Sequence, residues 1–183
     1  MRHTLQAEQW LPYSVDVVFA FFANPENLPR LMPSWQKARI EEASFAPPPS
    51  RPVHLASANS TSNAAGAGTK LTITFRPFPY SPIRVSWDAE ISEFVWNDYF
   101  CDQQLRGPFT YWHHCHSVRP DIRDRESSSS NCGTLLSDKV EYELPLGGLG
   151  NLANNLFVAR QLRSTFDYRH TRTTELLALL IHP

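Results

Sequence analysis

The chain changes hydrophobic period twice, and each change marks a change of element. Residues 3–10 read as a strand, which Pro12 ends. Val17, Val18, Phe21 and Phe22 then fall on one stripe at helical spacing, with Ser14 placed to cap the helix and Asp16 in its first turn. Pro25 breaks that stripe, and residues 26–32 read as a second short helix stopped by Pro33. After a strand at 37–45 comes a stretch of period two. Leu71, Ile73 and Phe75 share a face, and Val85, Trp87, Ala89 and Ile91 oppose Ser86, Asp88 and Glu90. Residues 98–106, 109–118 and 133–144 are further strands, with Gly107-Pro108 a turn signal between the first two.

From 147 to 181 the period is helical again. Leu149, Leu152, Leu156, Ala159, Phe166, Thr173, Leu177 and Leu180 repeat at three and four, and Arg163 and His170 interrupt them. The order is strand, helix pair, about six strands, long helix. It predicts an α+β fold with the helices segregated to one side of an antiparallel sheet.

Two polar segments interrupt this order. Residues 46–67 are rich in Pro, Ser, Ala and Asn, and residues 119–132 carry charge and a serine run. Neither offers the apolar area that offsets ordering entropy, so both are expected to be mobile surface loops within one domain spanning 1–183.

Composition narrows the function classes. At 183 residues, 42% hydrophobic and 19% charged, the chain is globular in character. Five Trp and eleven Phe suit a sheet with bulky interior walls. A net charge of −1 gives no basic field for nucleic acid. No apolar run approaches the roughly 18 residues of a membrane span, and the first ten residues lack a signal-peptide apolar region. The expected location is cytoplasmic. Cys101, Cys115 and Cys132 are expected there as free thiols packed as small apolar groups.

The strings WDAEI from residue 87, FCDQQLRGPFTYWHHCHSV from 100, GTLLSDKVEYELPLGGLG from 133 and RQLRSTFDYRH in the last helix carry a resemblance. They resemble a bacterial, polyketide cyclase/dehydrase-like or ligand-binding branch of the START-like, helix-grip superfamily. The resemblance covers nearly the whole chain. It implies a curved antiparallel sheet of six or seven strands around a long C-terminal helix, two short helices after the first strand, and an apolar ligand cavity. It does not imply one reaction, because the superfamily shares a fold and a cavity rather than a chemistry.

The most unusual stretch is residues 111–116. Alternation puts Trp112, His114, His116 and Val118 on one face, which Trp112 and Val118 mark as inward. On the following strand Leu136, Asp138, Val140, Tyr142 and Leu144 share the apolar face, and Ser137, Lys139, Glu141 and Glu143 share the solvent face. Asp138 is the polar exception on its face. A buried carboxylate needs a partner, and His114 or His116 would supply one. Three roles stay open for this set: a structural polar network, a patch that orients a ligand, or an acid/base pair.

His-x-His on a strand can place two metal ligands, but no third is secured by spacing and no metal is expected. Trp87, Phe100, Trp112 and Tyr142, with Phe22 and Phe157 from the helices, are candidate cavity walls. Asp102 and Gln104 share a face with Phe100, and which face is inward is ambiguous; Gln104 is kept as a candidate contact. Arg160 and Arg163 are expected to reach solvent. No nucleophile elbow, phosphate loop or Cys-x-x-Cys is present, and LPLGGLG at 144–150 reads as a tight strand-to-helix connection.

The favoured reading is a protein that binds, and could transport, a hydrophobic small molecule such as a lipid, quinone, polyketide or other aromatic, with no cofactor. The alternative is an aromatase/cyclase- or dehydratase-like enzyme using His114, His116 and Asp138 as acid and base. A third is a module whose loops meet a protein partner. A homodimer is compatible with each.

Overall fold

The period-two segments become one antiparallel sheet. The computed structural model describes residues 1–55, 63–124 and 130–181. In chain order the elements are β1 (His3–Leu11), α1 (Val15–Ala23), a 3₁₀ turn (Pro25–Asn27), α2 (Leu28–Leu31), β2 (Arg39–Ser44), β3 (Lys70–Phe75), β4 (Val85–Val95), β5 (Tyr99–Arg106), β6 (Tyr111–Asp124), β7 (Ser130–Glu143), α3 (Gly147–Ala153), a π-helical turn (Asn154–Val158) and α4 (Ala159–Ile181). The seven strands run in the order β1-β7-β6-β5-β4-β3-β2. The sheet curves around α4, and the result is an α+β helix-grip fold. Among the described residues no helix is long and apolar enough to cross a membrane.

The core lies where α1 and α4 meet the sheet. Phe19, Phe21 and Phe22 of α1 pack with Leu176 and Leu177 of α4 and with Leu11, Phe100 and Leu136 of the sheet. Complete burial of side chains such as Phe19 and Leu177 is worth roughly 1.5–3 kcal/mol each. A second cluster joins Leu5, Trp112, Val140 and Tyr142 to Phe166 of α4. Between the two clusters the helix and sheet diverge.

Three expectations need correction. First, the segment expected as a loop at 119–132 is largely sheet: β6 and β7 pair from Tyr111↔Glu143 out to Asp124↔Ser130. Charged side chains suit a hairpin that projects into water, so polarity did not mark a loop there. The described parts of the first polar segment are also anchored. Ala65 N donates to Ala23 O, Gly66 N donates to Ala46 O, and Trp96 Nε1 donates to Pro49 O. A Cβ on Gly66 would lie 2.4 Å from Pro47 O, so the two limbs of that segment touch at glycine. Residues 56–62 and 125–129, the centres of the two expected loops, lie outside the described residues.

Second, the C-terminal apolar stripe is buried only in its second half. Phe166, Thr173 and Leu177 are buried, while Leu149, Leu152, Leu156 and Leu180 are exposed. The π-helical turn at Asn154–Val158 adds a residue to one turn and rotates what precedes it off the core-facing side.

Third, Cys101 and Cys115 are not free thiols. They face each other across β5 and β6 and form a disulfide, leaving Cys132 as a free, exposed cysteine. Thiol titration of the denatured protein without reductant should therefore find one reactive thiol per chain, and three after reduction. Three before reduction would show that the bridge does not form.

Candidate functional site

The cavity between sheet and α4 has a volume of about 420 Å³. Leu71 and Ile73 of β3 and Ala89 and Ile91 of β4 supply its aliphatic wall. Trp87 and Trp112 meet edge to face at 4.7 Å between ring centroids, and Phe109 packs on both. Alternation on twisted strands produces this wall, because every second side chain of four neighbouring strands points the same way. Phe22, Trp87, Phe100, Trp112, His114, His116 and Phe157 all line the cavity. Phe157 does so from the π-helical turn and stays half-exposed.

Three predicted residues do not line it. Gln104 clasps the β5–β6 turn instead: its Nε2 donates to Phe109 O and its Oε1 accepts from Phe109 N. Tyr142 is buried behind Trp112, with its hydroxyl donating to Asn154 Oδ1 at 2.7 Å. Asp138 is fully buried and does not line the cavity; both histidines meet its Oδ1, and its Oδ2 has no hydrogen-bond partner among the described residues.

The polar end of the cavity is one connected set. Cross-strand pairing sets Asp102 opposite His114 and His116 opposite Asp138. His114 Nδ1 is 3.4 Å from Asp102 Oδ1, and His114 Nε2 is 3.0 Å from Asp138 Oδ1. His116 Nδ1 comes within 2.5 Å of the same Asp138 oxygen. Arg169 of α4 closes the set, with Nη2 3.3 Å from His116 Nε2. Its guanidinium also lies over the rings of Phe22 and Phe166.

Charge states follow from these partners. Burial alone would lower the His114 pKa, but a carboxylate at each ring nitrogen raises it above the ordinary value, which favours the imidazolium facing both aspartates. Burial lowers His116 to about 4, and the charges on His114 and Arg169 act in the same direction. His116 is therefore neutral at pH 7. Arg169 can only donate, so Nε2 of His116 is the acceptor and Nδ1 carries the proton towards Asp138. Burial would raise both carboxyls. The rings of His116 and His114, with Arg169, hold Asp138 well below the ordinary range, and His114 above all holds Asp102 below it.

Asp102, His114 and His116 bring their ligand atoms within 4.8 Å of one another, a spacing a metal ion could use. The partners oppose it. Both His114 nitrogens already face carboxylates, and the Arg169 guanidinium occupies the side of His116 Nε2. A cation there would meet like charge.

Sequence reasoning missed Arg169 and left Asp102 undecided. Arg160 and Arg163, which it weighed, are exposed as expected. Arg169 carried a usable signal: it stands three residues after Phe166 and four before Thr173, so it shares their helical face.

This cavity agrees with what the chain is similar to. A family model described as polyketide cyclase / dehydrase and lipid transport matches residues 11–182. The chain belongs to that family. The crystal structure of TTHA0849 from Thermus thermophilus superposes with a TM-score of 0.64 at 16% identity, covering 99% of this chain and 100% of that one. Protein CV1439 from Chromobacterium violaceum gives 0.62 at 14%, covering 95% and 96%. Ara h 8.0201 gives 0.55 at 13%, covering 97% and 98%. At these identities the likeness is one of fold. No curated protein matches the sequence significantly.

Proposed function

We propose that the chain, acting as one domain, binds and carries a hydrophobic small molecule, such as a lipid, quinone, polyketide or other aromatic, inside the cavity. The observation that carries this reading is the cavity itself: about 420 Å³ walled mostly by apolar side chains, with Asp102, His114, His116 and Arg169 joined in one polar cluster on its lining. Phe22, Trp87, Phe100, Trp112 and Phe157 would supply contact area, and His114 and His116 orientation.

A neutral fluorescent probe, N-phenyl-1-naphthylamine, should bind the purified protein with saturable enhancement. Ala89→Phe, which fills the cavity from β4, should abolish that binding while leaving the far-ultraviolet circular dichroism unchanged. Unaltered probe affinity in Ala89→Phe would place the binding elsewhere. Native mass spectrometry with lipid extraction would then identify the molecule carried.

The acid/base alternative is less well supported by the geometry. His114 has no free nitrogen, and the basic lone pair of His116 is already engaged by Arg169. A general base must reach the proton it removes. Turnover that His116→Ala abolishes would favour the enzyme. A cytoplasmic setting is part of the same proposal; the Cys101–Cys115 cystine counts against it, because cytosolic thiols are kept reduced. Alkylation of Cys101 and Cys115 in intact cells would support it.

A further inference from the structure

We infer that the ligand is an acidic amphipath, an apolar body ending in an oxygen anion such as a carboxylate, and that Arg169 receives that end. This rests on the cavity-binding reading above and names the chemical class that the cavity takes.

The donors at the polar end define what can be accepted. Arg169 is cavity-lining, and among the described residues no carboxylate lies within ion-pairing distance of it. Its Nε is buried without a hydrogen-bond partner there. Its one polar contact among those residues is a neutral imidazole nitrogen at 3.3 Å, a weak partner for a guanidinium held between two aromatic rings. A guanidinium offers donors only, so a ligand head that meets it must be an acceptor. Oxyanions match its planar donor set best.

The two carboxylates of the set, Asp138 fully buried and Asp102 partly exposed on the cavity lining, do not fill this role. Asp138 is completely covered and faces His114 and His116, and Asp102 faces His114. With His114 charged, Asp102, Asp138, His114 and Arg169 are balanced. An arriving anion therefore meets Arg169, the one cation of the set with no carboxylate within ion-pairing distance among the described residues. The groups facing His116 are Asp138 from β7, His114 from β6, Arg169 from α4, Asp102 from β5, and the apolar rings of Phe22 and Phe100. Arg169 Nε–H, buried without a partner among the described residues, is the donor left for the oxyanion. Most of the remaining wall is apolar, with Gln36, Thr69, Glu90, Gln161 and Thr165 among its polar members, so the body of the ligand must be largely apolar.

Two probes with one body separate this from plain apolar binding. N-phenyl-1-naphthylamine and 1-anilinonaphthalene-8-sulfonate share an aryl-naphthylamine and differ by the sulfonate. The wild type should bind the sulfonate, and Arg169→Gln should weaken it by about tenfold or more, the loss of a hydrogen bond to a charged group. The neutral probe should stay within about twofold. Arg169→Lys, which keeps the charge, should recover part of the sulfonate affinity and guards against a folding defect in the Gln variant. If the neutral probe binds while the sulfonate is rejected, or is insensitive to Arg169→Gln, the inference falls and the apolar cavity stands. If the folded wild type binds neither, the cavity-binding reading falls with it.

Discussion

Asp138→Ala should destabilise the protein by roughly 3–5 kcal/mol, as removal of one member of a buried ion pair does. Asp138 is the hub of the network, opposite Ala7 on one side and His116 on the other, and both histidines converge on its Oδ1. Without it His114 must either stay charged with one carboxylate or lose its proton, and His116 Nδ1–H faces nothing. Three residues away Glu141 sits on the opposite face of β7, pairing with Lys139 at 2.8 Å in solvent. Glu141→Ala should leave the urea midpoint essentially where it is. Equal midpoints for the two variants would mean that Asp138 is not held in a buried network. Asp138→Asn, which keeps shape and an acceptor but no charge, should fall between them.

That contrast between Asp138 and Glu141 is legible from alternation alone, because in a regular strand one parity is inside and the other outside. The same logic placed His114 and His116 on the cavity wall. It stalled at β5, where register shifts between Asp88/Ala89 and between Ile91/Glu93 break the correspondence with β4. Both faces of β5 mix polar and apolar residues, with Phe100, Asp102 and Gln104 on one and Cys101, Gln103 and Leu105 on the other, so Asp102 could not be assigned a face. The exposed Leu149, Leu152 and Leu156 have an analogous origin in the π-helical turn. The cystine was within reach of the sequence. Cys101 and Cys115 stand equally far from Pro108 in the turn that joins their strands, and a hairpin pairs residues at equal distance from its turn.

Acid should destabilise the fold well before its carboxylates titrate. An unfolded histidine has a pKa near 6.5, and folded His116 lies at about 4. Between these values the unfolded chain binds a proton that the native protein does not, so stability falls as pH falls. The gap is worth at most about 3 kcal/mol. His114 acts with the opposite sign. Its raised pKa gives stability that is present in full below the unfolded value and is lost as pH rises through the folded one. The depressed carboxyls of Asp102 and Asp138 add a further loss once pH drops below about 4, where the unfolded chain begins to protonate. Stability should thus peak around neutral pH and decline steeply on the acid side. Urea unfolding of the wild type and of His116→Gln at pH 7, 5.5 and 4.2 measures the first contribution. The Gln variant, less stable at neutral pH, should lose distinctly less between 7 and 4.2. Parallel curves would remove His116 as the source.

The edge-to-face pair of Trp87 and Trp112 gives the cavity an optical reporter of its own. Both indoles line the space a ligand would fill, and Trp112 stands 6.2 Å from the ring of His114, a charged imidazole able to quench an excited indole. Displacing solvent from these rings, or shifting His114 against Trp112, changes the colour and yield of tryptophan emission. Occupancy can therefore be followed without a label, and the signal belongs to the cavity wall.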